Sequence, residues 1–526
     1  MGSASRLTLS VAKPQPGALF ITIALACAAA LCATGLVILP TLVTKARLVY
    51  AGIGGILLMI AAYMSGNFRL TCLWSLMFTM PFDLNKHFGM EYNKMGGESG
   101  FKVEMSDPFI FALVLFLARD ILNGWRPGIR IPKVTFLWAA IGLLGVYSIL
   151  WGPFRTTAAH EVFRMVKVTV LFIVITNELN RKERLLQCAA ALGVSMAFQS
   201  VVGLAEKFRG GLLGLSILGE TSKATIDQLA VESVIGETVY RTAAFLRHPN
   251  LFGMFLAVLL PLMIGGFLLR NGGPRRFIFL AAMVLGPAAL ITTLSRSSWV
   301  SAAAAAGVTA LVLLANERLR PRLVVPAVAA FMALVIIGAA YSGPIFRRLF
   351  ASRAGASIAR QELEHDAWLL AQEKPIFGWG MNSYAMNVQR VMKLAPRTSH
   401  KMWGTLFPVV HHTYLLWWSE LGLVGLILHC LVWLWMIGIA VRNMVVKDEV
   451  MFILNAACLG GLVAFIPDGF FSFSIRMSAI LRLYWIVAGM TMAIHYWRLQ
   501  HEPPASARFP VRSLPEPVPA LQATRE

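Results

Sequence analysis

Two adjacent histidines, His411 and His412, head an apolar run, "VVHHTYLLWWSELGLVGLILH", that extends from Val409 to His429 and carries Glu420 partway along. An imidazole titrates near neutrality, so a histidine in this position can take or return a proton. Upstream, Arg241 opens "RTAAFLRHPNLFG", with Arg247 and His248 close behind it, and Arg296 sits in "TLSRSSWV" at a very short turn. Arg164, Lys167, Arg476 and Arg482 fall at or near the ends of further apolar segments. A guanidinium presents a planar fork of donors that matches phosphate oxygens, whereas a lone cation at a segment end can simply reach for the membrane surface. As a set, these cations point to an anionic ligand. Glu420 lies nine residues beyond His411, which on a helix is about 13 Å away and on nearly the opposite side. It is therefore expected to be structural, protonated or hydrogen-bonded between helices, rather than an orienting partner of that imidazole.

The medium around these residues follows from composition. The chain has 526 residues, 57% of them hydrophobic and 14% charged, with a mean hydropathy of +0.67. Soluble globular chains carry about 25% charged residues, so water is the wrong solvent for most of this one. The apolar stretches run about 18–22 residues without alternation, which suits helices crossing a hydrocarbon core and not a barrel. The expected fold is an all-α polytopic integral membrane protein with about 12–14 transmembrane helices. The spans read as 18–39, 48–65, 68–83, 107–124, 134–151, 161–179, 186–206, 250–270, 277–294, 297–315, 323–342, 412–441, 451–472 and 477–497.

Charge sets the orientation. The dense Lys/Arg clusters, among them "RKER", "RNGGPRR" and "RLRPR", fall on alternate loops, as the positive-inside rule requires with both termini cytoplasmic. Lys45 and Arg47 run mildly against the pattern. Three long connections, 84–106, 207–249 and 343–411, then lie outside, and long loops in compact proteins are commonly functional. The third contains a helical repeat, with Leu363, Ala367, Leu370 and Ala371 on one face from Ser357 to Glu373, ended by Lys374-Pro375. It is expected to lie over the outer mouth of the bundle. The tail 500–526 is Pro-rich and polar, hence expected to be disordered and cytoplasmic.

Several chemistries are set aside. The net charge of +21 is spread over short loops, with no basic patch interleaved with aromatics, so nucleic acid is not an expected partner. No DxD, HExxH or GxSxG is present, and no CxxC pair occurs among the six cysteines. Neither a metal nor another cofactor is therefore expected. "GLSILGETSK" superficially resembles a phosphate-binding loop, but Glu220 stands where lysine is required.

"RTAAFLRHPNLFG", "TLSRSSWV", "AWLLAQEKPIFGWGMNSY" and "HHTYLLWWSELGLVGL", in that order, resemble the successive signatures of the O-antigen ligase and O-antigen polymerase superfamily. The resemblance covers about Arg241 to Leu426, with consistent apolar flanks over most of the chain. Its members are bacterial inner-membrane glycosyltransferases of the GT-C type. They move a glycan from undecaprenyl pyrophosphate to a lipid A core or another glycan at the periplasmic face, so the resemblance implies these donors and acceptors. It also implies that Arg241 and Arg296 bind the lipid pyrophosphate and that His411 is the catalytic base. His412 stands where the family usually has asparagine. Arg247, Arg360, His412 and Tyr414 are further substrate-binding candidates, with Tyr414 and Trp418 able to stack on a sugar. A pyrophosphate leaving group needs no obligatory metal, and direct attack by an acceptor hydroxyl inverts the anomeric carbon. A chain-length regulator or other polysaccharide-assembly proteins are further partners the family suggests.

On this reading 1–206 are N-terminal transmembrane helices, 207–442 the ligase-like core with periplasmic loop 343–411, 443–499 C-terminal transmembrane helices and 500–526 the tail. The competing class is a transporter or flippase for lipid-linked sugar or a small anion. That class calls for polar residues through the midplane and broken helices in repeated halves. The charges here crowd the outer rim, and no internal repeat is evident. His411 is expected to act rather than His412, because neighbours on a helix point about 100° apart and only one can face the arginine-lined mouth.

Overall fold

The computed structural model describes residues 66–82, 85–90, 97–215, 219–220, 231–234, 237–269, 273–321, 354–392 and 409–502. The expected spans at 18–39, 48–65 and 323–342 lie outside the described residues, as does the tail from 503 onward. What is described is helical throughout, apart from two antiparallel hairpins. An opening helix α1 (Phe68–Thr79) leads through β1 (Asn85–Phe88) and β2 (Phe101–Glu104) to α2 (Asp107–Leu122), α3 (Val134–Trp151), α4 (Arg155–Glu178) and α5 (Lys182–Arg209). A second hairpin, β3 (Val231–Val234) with β4 (Glu237–Tyr240), precedes α6 (Pro249–Leu268), α7 (Arg275–Thr292) and α8 (Arg296–Ala315). Helices α9 (Ala354–Glu373) and α10 (Tyr384–Met392) lie in the long connection before α11 (Thr413–Arg442). The chain closes with α12 (Glu449–Val463), the short α13 (Phe465–Phe471) and α14 (Ser478–His501).

Eight of these helical stretches are long and apolar enough to cross a bilayer: α3, α5, α6, α7, α8, α11, α12 with α13, and α14. The chain is an all-α polytopic membrane protein. The other expected spans that fall on described residues, α1, α2 and α4, are helical too, but α1 and α2 are short and α4 carries charge. Helix α6 is the centre of the bundle, packed by α5, α7, α8 and α12, while α4 pairs with α14 and α3. Lipid-facing helices leave large apolar side chains uncovered, such as Phe136 and Leu143 on α3, whereas nearly every residue of α14 down to Ile494 is buried.

The loop helix falls where its periodicity placed it: Leu363, Ala367, Leu370 and Ala371 are all fully buried, and the helix ends at Glu373. It packs on α11. Helix α10 was not legible, being only nine residues long. The larger departure is within α11, read as one continuous span. Gly422 takes φ 66°, ψ −170°, and breaks the helix. The groups the break releases bond to the loop ahead of it. Trp379 N–H donates to Ser419 O (3.0 Å), Gly380 N–H to Glu420 O (2.8 Å), Leu423 N–H to Pro375 O (2.7 Å) and Val424 N–H to Ile376 O (3.2 Å). Non-helical backbone survives inside a membrane protein only when such groups are satisfied by protein. Glycine is needed at both contact points: a Cβ on Gly378 would meet the Glu420 carbonyl at 2.4 Å, and one on Gly422 would meet Ile376 O at 2.1 Å.

Candidate functional site

The segment from Arg241 to His248 is a tight, strained turn. It leaves β4, forms a single 3₁₀ turn at Ala244–Leu246, and enters α6 at Pro249. Ala244 and Arg247 both hold positive φ (46° and 61°), a left-handed conformation uncommon outside glycine. Leu294, two residues before Arg296, does the same at 50°, and Asn382 at 57°. Such residues cluster at functional sites because the surrounding structure must hold them there. Here Phe245 is the anchor, fully buried and stacked on Phe82 with ring centroids 5.2 Å apart.

This turn and the α7–α8 turn are bonded together. Arg241 is buried, its Nε donating to Thr293 O (2.9 Å) and Nη2 to Asn250 Oδ1 (2.8 Å). The Thr242 and Thr292 hydroxyls lie 2.7 Å apart. Arg241 is thereby fixed against the turn that carries Arg296, which begins α8 half-buried. Helices α6 and α8 thus start at the same end of the bundle, with N–H groups and the positive ends of their dipoles directed there, an arrangement suited to an anion.

His411 and His412 join this end, but differently from expectation. Neither lies within α11, which begins at Thr413, so the angular argument between them does not apply. His412 is the N-cap: its Nδ1 accepts the Leu415 N–H (3.2 Å). His248 does the same for α6, its Nδ1 accepting from Asn250 N–H (3.1 Å). In each, the nitrogen that accepts carries no proton when the ring is neutral, so the proton sits on Nε2. His411 precedes the cap, its ring edge-on to Phe473 at 5.2 Å. Burial foremost, then the Arg360 guanidinium, push its pKa down to about 3 against a bond to the Val409 backbone that raises it. His248 is likewise pushed down to about 3 by burial, then by Arg241, His411 and Arg360. The electrostatic neighbours therefore bring His411, His248, Arg241 and Arg360 into one group. His248 was noted in the sequence only as a neighbour of Arg241; the signal was its place immediately before Pro249, the first residue of a helix.

The remaining candidates point elsewhere. Tyr414 donates its hydroxyl to Ile466 O (3.0 Å) and packs on Phe470, so it fastens α11 to α13. Trp418 donates to Pro375 O (3.1 Å) and meets Trp368 edge-on. Tyr414 and Trp418 are thus each bonded to the chain's own backbone. Arg247 is exposed and donates to Gly219 O (3.4 Å). Trp417 is buried and stacked on His429 at 4.0 Å.

The cations at Arg164, Lys167, Arg476 and Arg482 are paired with carboxylates. Arg476 grips Glu420, Arg164 pairs with Glu161 and Glu98, Lys167 with Glu104 and Asp107, and Arg482 with Glu104. Glu420 is the structural group expected, its Oε1 also accepting the Tyr384 N–H (3.1 Å). Beneath the docked loop lies a cavity with about 30 Å³ of space for water, lined by Trp138, Trp417, His429, Glu161, Arg476 and Trp485 among others. None of His411, Arg241 or Arg296 lines it. Among the described residues, no three His, Cys, Asp or Glu side chains converge as metal ligands.

Residues 280–430 match the O-antigen ligase family model. The match begins within α7, takes in Arg296, Arg360, His411 and the broken helix, and ends after His429; Arg241 and His248 precede it. No curated protein matches the chain significantly.

Proposed function

We propose that this chain, whose residues 280–430 match the O-antigen ligase family model, is an inner-membrane glycosyltransferase acting at the periplasmic face. It takes a glycan from undecaprenyl pyrophosphate and gives it to an acceptor hydroxyl, on a lipid A core or on another glycan. The observation that carries this reading is the joining of the Arg241 turn to the Arg296 turn by the Arg241–Thr293 bond, with His411 in the same electrostatic group.

The proposed chemistry follows from those side chains. Arg241, held in one plane by Thr293 and Asn250, and Arg296, at a helix start, stabilise the charge that builds on the departing pyrophosphate. Arg360, on the loop helix, adds to the same field. His411 takes the acceptor's proton as its oxygen attacks the anomeric carbon, and the bond to the pyrophosphate breaks with inversion. In the free protein, burial and Arg360 hold that imidazole neutral. A bound dianion offsets the arginine charge and lifts the imidazole pKa toward the working pH, so the base strengthens only when the donor is in place. His412 serves as helix cap.

The transporter reading loses support from the same features. The one helix break described in α11 is filled by the chain's own loop, and the buried charges beside it are neutralised in pairs. Purified protein in liposomes should transfer glycan from lipid to acceptor with no transmembrane flux of either. Flux without transfer would overturn the proposal. Glycan from a deletion strain separates the two branches: loss of polymer length marks a polymerase, and loss of attachment with polymer retained marks a ligase.

A further inference from the structure

Helix α5 ends beneath the strained turn, and two of its buried side chains reach up to it. Glu206 Oε2 accepts the N–H groups of both Ala243 (2.9 Å) and Ala244 (3.1 Å). One residue on, Gln199 Oε1 accepts the Phe245 N–H (3.2 Å). Both side chains are fully buried. They stand seven residues apart, two helical turns, and so share a face of α5. Three consecutive backbone N–H groups, between Arg241 and His248, are therefore held by side chains from one helix.

A buried acid at this depth is costly, and neutral helix packing does not call for one. The two left-handed residues, Ala244 and Arg247, are also costly, and neither is glycine. The two costs are matched: the carboxylate grips the backbone at and just before Ala244, the first of them. Released from that grip, the turn would relax toward ordinary φ values. Arg241 would then lose its alignment with Thr293 and Asn250, and His248 its place at the start of α6.

We propose that Glu206, with Gln199 beside it, is a positioning residue for the pyrophosphate site, setting the turn so that Arg241 and His248 face the same mouth. The inference rests on the assignment of Arg241 to the donor pyrophosphate. Glu206 touches no substrate; it acts through the backbone it holds.

The test uses full-length protein in lipid nanodiscs, with inorganic pyrophosphate as the probe and donor KM and kcat as further readouts. Glu206→Ala should weaken pyrophosphate binding about tenfold or more and raise donor KM in parallel. Glu206→Gln keeps an acceptor oxygen in place and should bind within about threefold of wild type. In the Glu206→Ala background, Arg241→Lys should add less than about twofold, because both changes spoil one element. If Glu206→Ala is poorly folded, Gln199→Ala probes the same turn and should show a smaller rise in KM. A lowered melting temperature with wild-type pyrophosphate affinity and KM would overturn the proposal, as would full additivity with Arg241→Lys. Should Arg241→Lys alone leave affinity unchanged, the functional assignment of Arg241 fails first, and this inference falls with it.

Discussion

Arg476 holds both oxygens of Glu420, with Nη1 2.7 Å from Oε2 and Nη2 3.3 Å from Oε1, and spends Nη2 again on Asn382 Oδ1 at 2.8 Å. All three side chains are buried, and they come from three separate stretches of chain: the 3₁₀ turn just before α14, the broken part of α11, and the loop docked against it. The pair is thus a rivet through the point where the loop enters the bundle. Glu420→Ala would leave a buried guanidinium without its partner, which costs about 3–5 kcal/mol. Thermal unfolding in detergent should show a large drop, and the double change Glu420→Leu with Arg476→Met should recover most of it. A single variant as stable as wild type would remove the rivet from the account.

Arg241 and Arg296 are expected to resist replacement by lysine. The ammonium keeps the charge but loses the fork, and at Arg241 it also loses the two bonds that fix the plane. Each lysine variant should bind donor at least about tenfold more weakly. Wild-type affinity and turnover in Arg296→Lys would refute its assignment.

The two depressed imidazoles fix a direction for pH dependence. The folded values for His411 and His248 are pushed down to about 3, below the unfolded value of about 6.5. Below pH 6.5 the unfolded chain therefore binds more protons than the folded one. The stability this contributes is full above about pH 6.5 and is lost as pH falls toward the folded value. Unfolding midpoints measured from pH 8 to pH 4 should decline on the acid side, and His248→Asn, which keeps a capping side chain, should flatten the decline. An unchanged profile in that variant would show that His248 does not carry it.

Orientation is open to a direct check. A cysteine placed at Ser399 should be labelled from outside intact cells, and one at Ser506 should be protected. The reverse pattern would invert the proposed topology.

Much of this was legible from residue types because membranes make charge conspicuous: Arg241, Arg296 and His411 stood out against apolar flanks. Leu363, Ala367, Leu370 and Ala371 gave the loop helix by period alone. The broken helix was hidden because "SELGLVG" is as apolar as any span, and a single glycine in such a run is usually tolerated in helix. The left-handed turn at Gly422 exists only because Pro375 to Gly380 supply its hydrogen bonds from more than forty residues upstream. The ion pairs were equally illegible: Arg164, Lys167, Arg476 and Arg482 looked like ligand-binding cations, and their carboxylates, Glu98, Glu104 and Glu420 among them, come from distant segments. The capping role of His412 was hidden too, because it shows only once the helix is seen to start at Thr413.

The two histidines carry the central claim, and one comparison tests it most directly: single-turnover transfer and donor binding measured side by side in His411→Ala and His412→Asn. The cap formed by His412 Nδ1 can be made by asparagine, among the best capping residues, so His412→Asn should turn over near the wild-type rate. His411→Ala should bind donor nearly normally and lose about 10²–10⁴ in the transfer step, the range for a missing general base. Equal losses in both variants would make the pair a shared structural element, and loss in His412→Asn alone would contradict the assignment outright.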